Sequence, residues 1–318
     1  MEELSMKKYV IGADVGGTTV KLGFFTRDGE LLDKWEIPTD VSAQGNIIQD
    51  IADSCKKKMA ECGYALEDFE GIGIGVPGPV LPDGTAEGCV NIGWGRKQVK
   101  EEVEQCLGLP AVCGNDANMA ALGEVWKGSA SGHDHAVMVT LGTGVGGGII
   151  VSGKMIGGFH GCGGEIGHLI INSHETVKCN CGKAGCLEQY CSATGIVNET
   201  KKAMRKNRSW TSLSSKASFD AKDIFDAAQA GDTFAKTQVD LFCKRLAKAL
   251  SMIAVVVDPE IVVIGGGVSN AGSIITDNVA KHYKEDFAFG PQKDIRFVLA
   301  ALGNDAGIYG CAKAVISG

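Results

Sequence analysis

The chain opens with an apolar run, Y-V-I-G-A-D ending at Asp14, a Gly/Thr-rich turn, V-G-G-T-T, and a second apolar run, V-K-L-G-F-F, closed by R-D-G-E. Short runs rich in β-branched and aromatic residues between turn residues predict two antiparallel strands from Lys8, with a hairpin turn after them. Ile47, Ile48, Ile51, Ala52, Cys55, Met59 and Cys62 recur at helical spacing, which predicts a helix over Gly45–Cys62 packed on a sheet. Glu70–Val76 reads as a buried strand ending in P-G-P, Val80–Trp94 as a long loop and Gln98–Leu107 as a helix. A short strand, P-A-V-C-G, then runs into N-D-A-N at the start of another helix.

From Ala136 the opening pattern returns as A-V-M-V-T-L-G-T-G-V-G-G-G-I-I-V, again strand, Gly/Thr-rich turn, strand. Two copies of one hairpin, about 130 residues apart, predict duplicated α/β domains facing one another. Beyond a cysteine-rich segment the pattern predicts a helix over Leu187–Lys206, a polar loop, N-R-S-W-T-S-L-S-S-K-A-S, and a short helix over Ile224–Ala230. A long helix over Thr233–Val257 is stopped by Asp258-Pro259. E-I-V-V-I-G-G-G-V-S reads as strand, glycine triplet and helix start, I-R-F-V-L as the last strand. The last helix, Asn304–Ile316, is placed as crossing back to the first domain, which lacks one helix to cover its sheet.

Length and composition narrow the class. A chain of 318 residues suits two domains, and 44% apolar with 22% charged residues is the make-up of a soluble globular protein. A net charge of -7 with no basic run argues against nucleic acid and anionic membrane surfaces. The first residues lack the apolar core of a signal peptide, and no stretch reaches a membrane span, so the cytoplasm is the expected location. Cysteines stay reduced there and are free to bind metal. The 45 glycines, about twice the usual share, are clustered, which points to tight turns near a ligand.

Within one segment, G-G-E-I-G-H-L-I-I-N followed by C-N-C-G-K-A-G-C-L-E, stand His168, Cys179, Cys181 and Cys186, the ligand inventory of a closed Cys3His zinc site. Four protein ligands leave no open position for water, so the metal is read as scaffold, locking the loop that carries Glu165 and Glu188. The competing account makes these cysteines ordinary small core residues. The two Gly/Thr turns can direct backbone N–H groups and the hydroxyls of Thr18 and Thr19 at phosphates, and Asp14 at the strand end can hold magnesium through water. The glycine triplet Gly265, Gly266 and Gly267 allows a ribose or flat ring to lie on bare backbone. Asn115 and Asp116 stand at a strand exit, where open α/β sheets bind ligands, although helix capping explains either residue singly. Asn91 and Trp94 sit where an amide and an indole can contact a sugar, although a loop turn explains them almost as well.

Together these pieces describe a phosphoryl transferase, whose transition state needs positioning and charge neutralisation more than covalent chemistry. An alcohol acceptor must lose a proton, and Asp116 is the candidate base. Glu165 and Glu188 suit the fixing of adjacent hydroxyls, which favours a polyhydroxylated acceptor, and His168 can hold zinc through one nitrogen and donate to a sugar through the other.

D-V-G-G-T-T, N-D-A-N, L-G-T-G-V-G-G-G, G-E-I-G-H and C-N-C-G-K-A-G-C-L-E together resemble the ROK family of sugar kinases and related repressors, from Val10 to the last helix. The resemblance implies an α/β, actin-like (ribonuclease H-like) duplicated ATPase fold of two domains with an interdomain cleft, in a homodimer. It places residues 1–115 and 303–318 in a smaller domain and 116–302 in a larger one that carries the zinc site. It implies Asp116 as general base and Asn91, Asn115, Glu165, His168 and Glu188 as sugar ligands, with His168, Cys179, Cys181 and Cys186 on a structural zinc ion. The phosphate loops are then Asp14, Gly16, Gly17, Thr18 and Thr19, and Thr140, Gly142, Thr143 and Gly144, with Gly265, Gly266, Gly267 and Val268 bordering the adenosine. The implied reaction is transfer from ATP with Mg2+ to the 6-hydroxyl of glucose. N-acetylmannosamine, N-acetylglucosamine, fructose or allose as acceptor, and polyphosphate as donor, are alternatives. A sugar-responsive repressor is disfavoured, since thirteen residues precede Asp14 where repressors of the family carry a helix-turn-helix. Cys162-Gly163 departs from the more Ala-rich run expected before G-E-I-G-H.

Overall fold

A computed structural model describes residues 7–42, 45–206 and 210–317. The opening M-E-E-L-S-M, part of the segment read against a signal peptide, and residues 207–209 of the polar loop lie outside them. The chain forms two compact units. One comprises the described residues up to Gly132, Gly148–Gly164 and those from Asn304 onward; the other comprises His133–Gly147 and Glu165–Gly303.

In chain order the first part contributes β1 (Tyr9–Val15), β2 (Thr19–Thr26), β3 (Leu31–Pro38), α1 (Ile47–Cys62), β4 (Phe69–Val76), β5 (Ala86–Glu87), β6 (Arg96–Lys97), α2 (Val99–Leu107), β7 (Ala111–Asn115) and α3 (Asp116–Lys127). There follow β8 (Ala136–Leu141), β9 (Val145–Val151), β10 (Lys154–Met155), α4 (Glu188–Cys191), α5 (Ala193–Lys206), α6 (Ala221–Gln229) and α7 (Thr233–Val257). The chain closes with β11 (Ile261–Gly265), α8 (Ser273–His282), β12 (Arg296–Leu299) and α9 (Ala306–Ser317). One sheet has the order β3-β2-β1-β4-β7, with β1, β2 and β3 antiparallel and β1, β4 and β7 parallel. The other has the order β10-β9-β8-β11-β12, with β8, β11 and β12 parallel. Each sheet therefore begins with a hairpin and continues with parallel strands in the same spatial order, which is the duplication read from the two Gly/Thr turns. No helix among the described residues is long and apolar enough to cross a membrane.

Local chemistry sets the element ends. Asn46 caps α1 by accepting from Gln49 N at 3.3 Å, and Gly63 ends it in the left-handed region at φ 72°. Asp232 caps α7 through Ala235 N at 3.0 Å, and Asp258 ends it at φ 45°, directly before Pro259. The apolar stripes of α1 and α2 bury against β1, β2 and β4 in the main core of the first unit.

The opposite face of that sheet is closed by α9, where Ile308 and Ala312 pack with Val10 and Phe25. The approach is backbone on backbone. A Cβ on Gly12 would lie 2.0 Å from Ile308 O, one on Gly73 1.9 Å from Cys311 O and one on Gly310 1.6 Å from Met119 O. Helix α3 lies in the same unit, pressed on α9 through Gly123 and Gly310.

Three sequence expectations are corrected. The helix predicted over Leu187–Lys206 is two helices, because Ser192 is extended and its hydroxyl accepts from Gly195 N at 2.9 Å, while Ala193 N donates outward to Gly142 O at 2.8 Å. The short helix starts at Ala221, not Ile224, since Asp220 and Asp223 form a capping box at its N-terminus. After the glycine triplet a 3-10 turn, Gly267–Ala271, precedes α8 where a helix start was expected.

Gly310→Ala tests the backbone contact: it is expected to destabilise the protein by about 3 kcal/mol or more in urea unfolding, at the upper end of overpacking costs. A loss under about 1 kcal/mol would show that α3 and α9 separate easily.

Candidate active site

In the first unit the chemistry gathers at the carboxyl ends of the parallel strands, the edge at which open α/β sheets bind ligands. Asp14 lies near the end of β1 and Asp116 directly follows β7, with β4 between them. A Cβ on Gly75 of β4 would stand 3.5 Å from Asp14 Oδ1 and 3.6 Å from Asp116 Cα, so this residue lies between the two acids. Burial first, and then the charge of Asp116, push the Asp14 carboxyl up from 3.8 to about 6, against the opposing pull of Lys21. Gly307, the second residue of α9, was missed in the sequence; a Cβ there would meet Asp14 Oδ2 at 2.5 Å. The contact is invisible locally because it joins the two ends of the chain.

The Gly16–Thr19 turn is closed by Gly16 N donating to Thr19 O at 3.0 Å, and is tied to Thr39, whose N–H donates to Thr18 O at 2.9 Å and whose hydroxyl donates to Gly16 O at 2.8 Å. Asn91 stands against it, since a Cβ on Gly17 would meet Asn91 O at 3.5 Å. Asn115 is the helix cap that its position allowed: Oδ1 accepts from Asn118 N at 3.1 Å and Nδ2 donates to Gly78 O at 3.2 Å. Asp116 Oδ1 accepts from Ala117 N at 2.7 Å. The buried Asn118 donates from Nδ2 to Gly163 O at 2.9 Å, holding the segment that leads to Glu165.

In the second unit, one atom from each of His168, Cys179, Cys181 and Cys186 lies within 4.8 Å of the others. Cys181 and Cys186 are 3.6 Å apart at sulfur, and Cys179 Sγ is 3.9 Å from His168 Nδ1. An ion about 2.3 Å from each sulfur in tetrahedral array spaces its ligands by about 3.8 Å, so the donor set and its spacing fit zinc. A disulfide needs sulfurs at about 2.05 Å and does not fit. His168 Nε2 faces Glu165 Oε2 at 4.0 Å. Glu188 opens α4, and its Oε2 accepts from Val145 N at 3.0 Å.

The second Gly/Thr turn and the glycine triplet are neighbours within this unit. Thr140 pairs with Gly265, and Gly266, at φ 81°, packs on Leu141 so closely that a Cβ would lie 2.6 Å from its backbone N. Val268 is buried beside them. A cavity of about 460 Å³ borders Thr143, Cys179, Glu188, Asn198, Lys201 and Arg205. The α5 residues of this wall were missed in the sequence, although Asn198, Lys201 and Arg205 recur at helical spacing as a polar stripe.

Residues 10–317 match the model of the ROK family. The chain belongs to the ROK family. A glucokinase of Halalkalibacterium halodurans is 42% identical over 95% of this chain and 93% of its own, and a glucokinase of Thermotoga maritima is 33% identical over 97% and 98%. A ROK family glucokinase of Streptomyces griseus, solved in complex with glucose and AMPPNP, superposes with a TM-score of 0.76 at 32% identity, covering 98% of this chain and all of the other (100%). The two five-stranded sheets are those of the actin-like (ribonuclease H-like) ATPase fold of ROK proteins.

The raised Asp14 carboxyl makes a signed prediction. Its proton is held more tightly in the folded state, so folded-state stability is greatest at low pH and falls as pH rises from 3.8 to about 6. Asp14→Asn is therefore expected to match the parent near pH 4 and to become more stable through that window. The gain reaches ~3 kcal/mol above it in urea melts without divalent cations. A difference that does not change with pH would contradict a buried ionisable group.

Proposed function

We propose that this ROK protein is a sugar kinase that transfers the γ-phosphoryl group of ATP to the 6-hydroxyl of glucose, with Asp116 as general base. The observation that carries the reading is the pair of acids at the strand ends, Asp14 and Asp116, which flank Gly75 and of which the second raises the proton affinity of the first. Two carboxylates in unlike environments can divide two tasks, proton removal and cation binding. The likeness to glucokinases at 42% and 33% identity supports glucose as the acceptor.

In this mechanism Asp116 accepts the proton of the acceptor hydroxyl as its oxygen bonds to the γ-phosphorus and the bond to the β–γ bridging oxygen breaks. The turns of Asp14, Gly16, Gly17, Thr18 and Thr19 and of Thr140, Gly142, Thr143 and Gly144 hold donor phosphates. Gly265, Gly266, Gly267 and Val268 border the nucleoside. Asn91, Asn115, Glu165, His168 and Glu188 hold sugar hydroxyls; the carboxylates accept hydrogen bonds from adjacent hydroxyls, as a hexose offers. Mg2+ bound through Asp14 would neutralise phosphate charge, and zinc on His168, Cys179, Cys181 and Cys186 would stiffen the loop between Glu165 and Glu188.

Asp116→Asn is expected to lower kcat by at least ~10² while glucose affinity, measured by calorimetry, stays near the parent value. Near-normal turnover would remove Asp116 from the base role. In a panel of glucose, N-acetylglucosamine, N-acetylmannosamine, fructose and allose with ATP, glucose is expected to give the highest kcat/KM. A higher value for an N-acetylhexosamine would reassign the acceptor.

A further inference from the structure

Glu188 does more than its place after the last cysteine implies. Its Oε2 accepts the Val145 N–H at 3.0 Å, and its Oε1 lies 3.7 Å from Cys179 Sγ. The Gly142–Val145 turn thus hangs on a carboxylate whose other oxygen faces the Cys3His cluster. The same turn is held at its other end by α5, where Ala193 N donates to Gly142 O at 2.8 Å, and is closed internally by Gly142 N on Gly144 O at 3.0 Å. Gly144 shows how little room is left: a Cβ there would lie 2.2 Å from Glu188 Oε2. A third contact fits the pattern, since a Cβ on Gly167, next to His168, would lie 2.1 Å from Val145 O. Val145, the last residue of the turn, is therefore gripped from two sides by the segments that carry His168 and Glu188.

We infer that Glu188 is a positioning residue for the donor turn, fixing Gly142–Val145 to the Cys3His cluster, so that the state of the cluster sets nucleotide affinity. This rests on the reading of that turn as a phosphate loop. A carboxylate has about four lone-pair sites, so the Val145 bond leaves capacity for a sugar hydroxyl, and the two roles are compatible. The metal loop would then serve the donor as well as the acceptor. Loosening the cluster is here expected to weaken the donor as well.

Two variants reach the same bond by different routes. Glu188→Ala removes the acceptor, whereas Gly144→Ala leaves the carboxylate in place and pushes it off the Val145 N–H. Each is expected to weaken binding of AMPPNP by about tenfold or more, the loss of one hydrogen bond to a charged group. The double variant is expected to be little worse than either single, because both break one interaction. Glu188→Gln, which keeps an acceptor oxygen, is expected to bind AMPPNP within about threefold of the parent. A readout without ligand runs beside these. Hydrogen exchange of the peptide spanning residues 141–147 is expected to speed up in Glu188→Ala, in Gly144→Ala and in the metal-depleted parent, and to stay slow in Glu188→Gln. Unchanged exchange and AMPPNP affinity in both singles, with only glucose affinity reduced, would overturn the inference, as would fully additive losses. If the parent transferred no phosphate from ATP, the functional reading would fall while the exchange data still decided whether Glu188 holds the turn.

Discussion

The structure turns on a half-buried carboxylate. Asp14 is enclosed at the end of β1 with Asp116 as an electrostatic neighbour, and its proton affinity rises accordingly. Like charges that act on one another resist being ionised together, and the amine of Lys21 opposes the shift without cancelling it.

Much of the first unit serves that enclosure. Helix α9 comes from the far end of the chain and lies on β1 and β4 through glycines, with Gly307 against the Asp14 carboxylate and Gly310 against the backbone of α3. Helix α3 in turn begins at Asp116. The packing that closes the sheet is therefore the packing that fixes both acids, so stability and chemistry are linked through the same few backbone contacts. The second unit applies a different device. There three thiols and an imidazole lie together, and Glu188 joins that cluster to a glycine turn.

Periodicity and turn chemistry made most of the elements legible in advance: the helix over Thr233–Val257 and the strands on either side of each Gly/Thr turn follow from local pattern. The cluster of His168, Cys179, Cys181 and Cys186 was legible from spacing because its ligands are close in sequence. What escaped depends on distant partners. The break at Ser192 arises because Ala193 N–H is drawn to Gly142 O, which the helical pattern of α5 does not record. The link from Glu188 to Val145 spans 43 residues, and Gly307 meets Asp14 across nearly the whole chain. Asn115 shows the opposite case, a residue whose modest local reading as a helix cap is realised whatever else it binds.

Burial first, and then the charge of Asp116, hold the proton of Asp14 to an unusually high pH. The direct measurement is a carbon-13 NMR titration of the aspartate carboxyls in the protein without divalent cations, with Asp14→Asn used to assign the resonance. The account predicts one carboxyl titrating near pH 6, absent in Asp14→Asn and shifted to lower pH when Asp116 is replaced by Asn. A titration in which every aspartate ionises at its ordinary value, with no difference between the parent and Asp14→Asn, would contradict it.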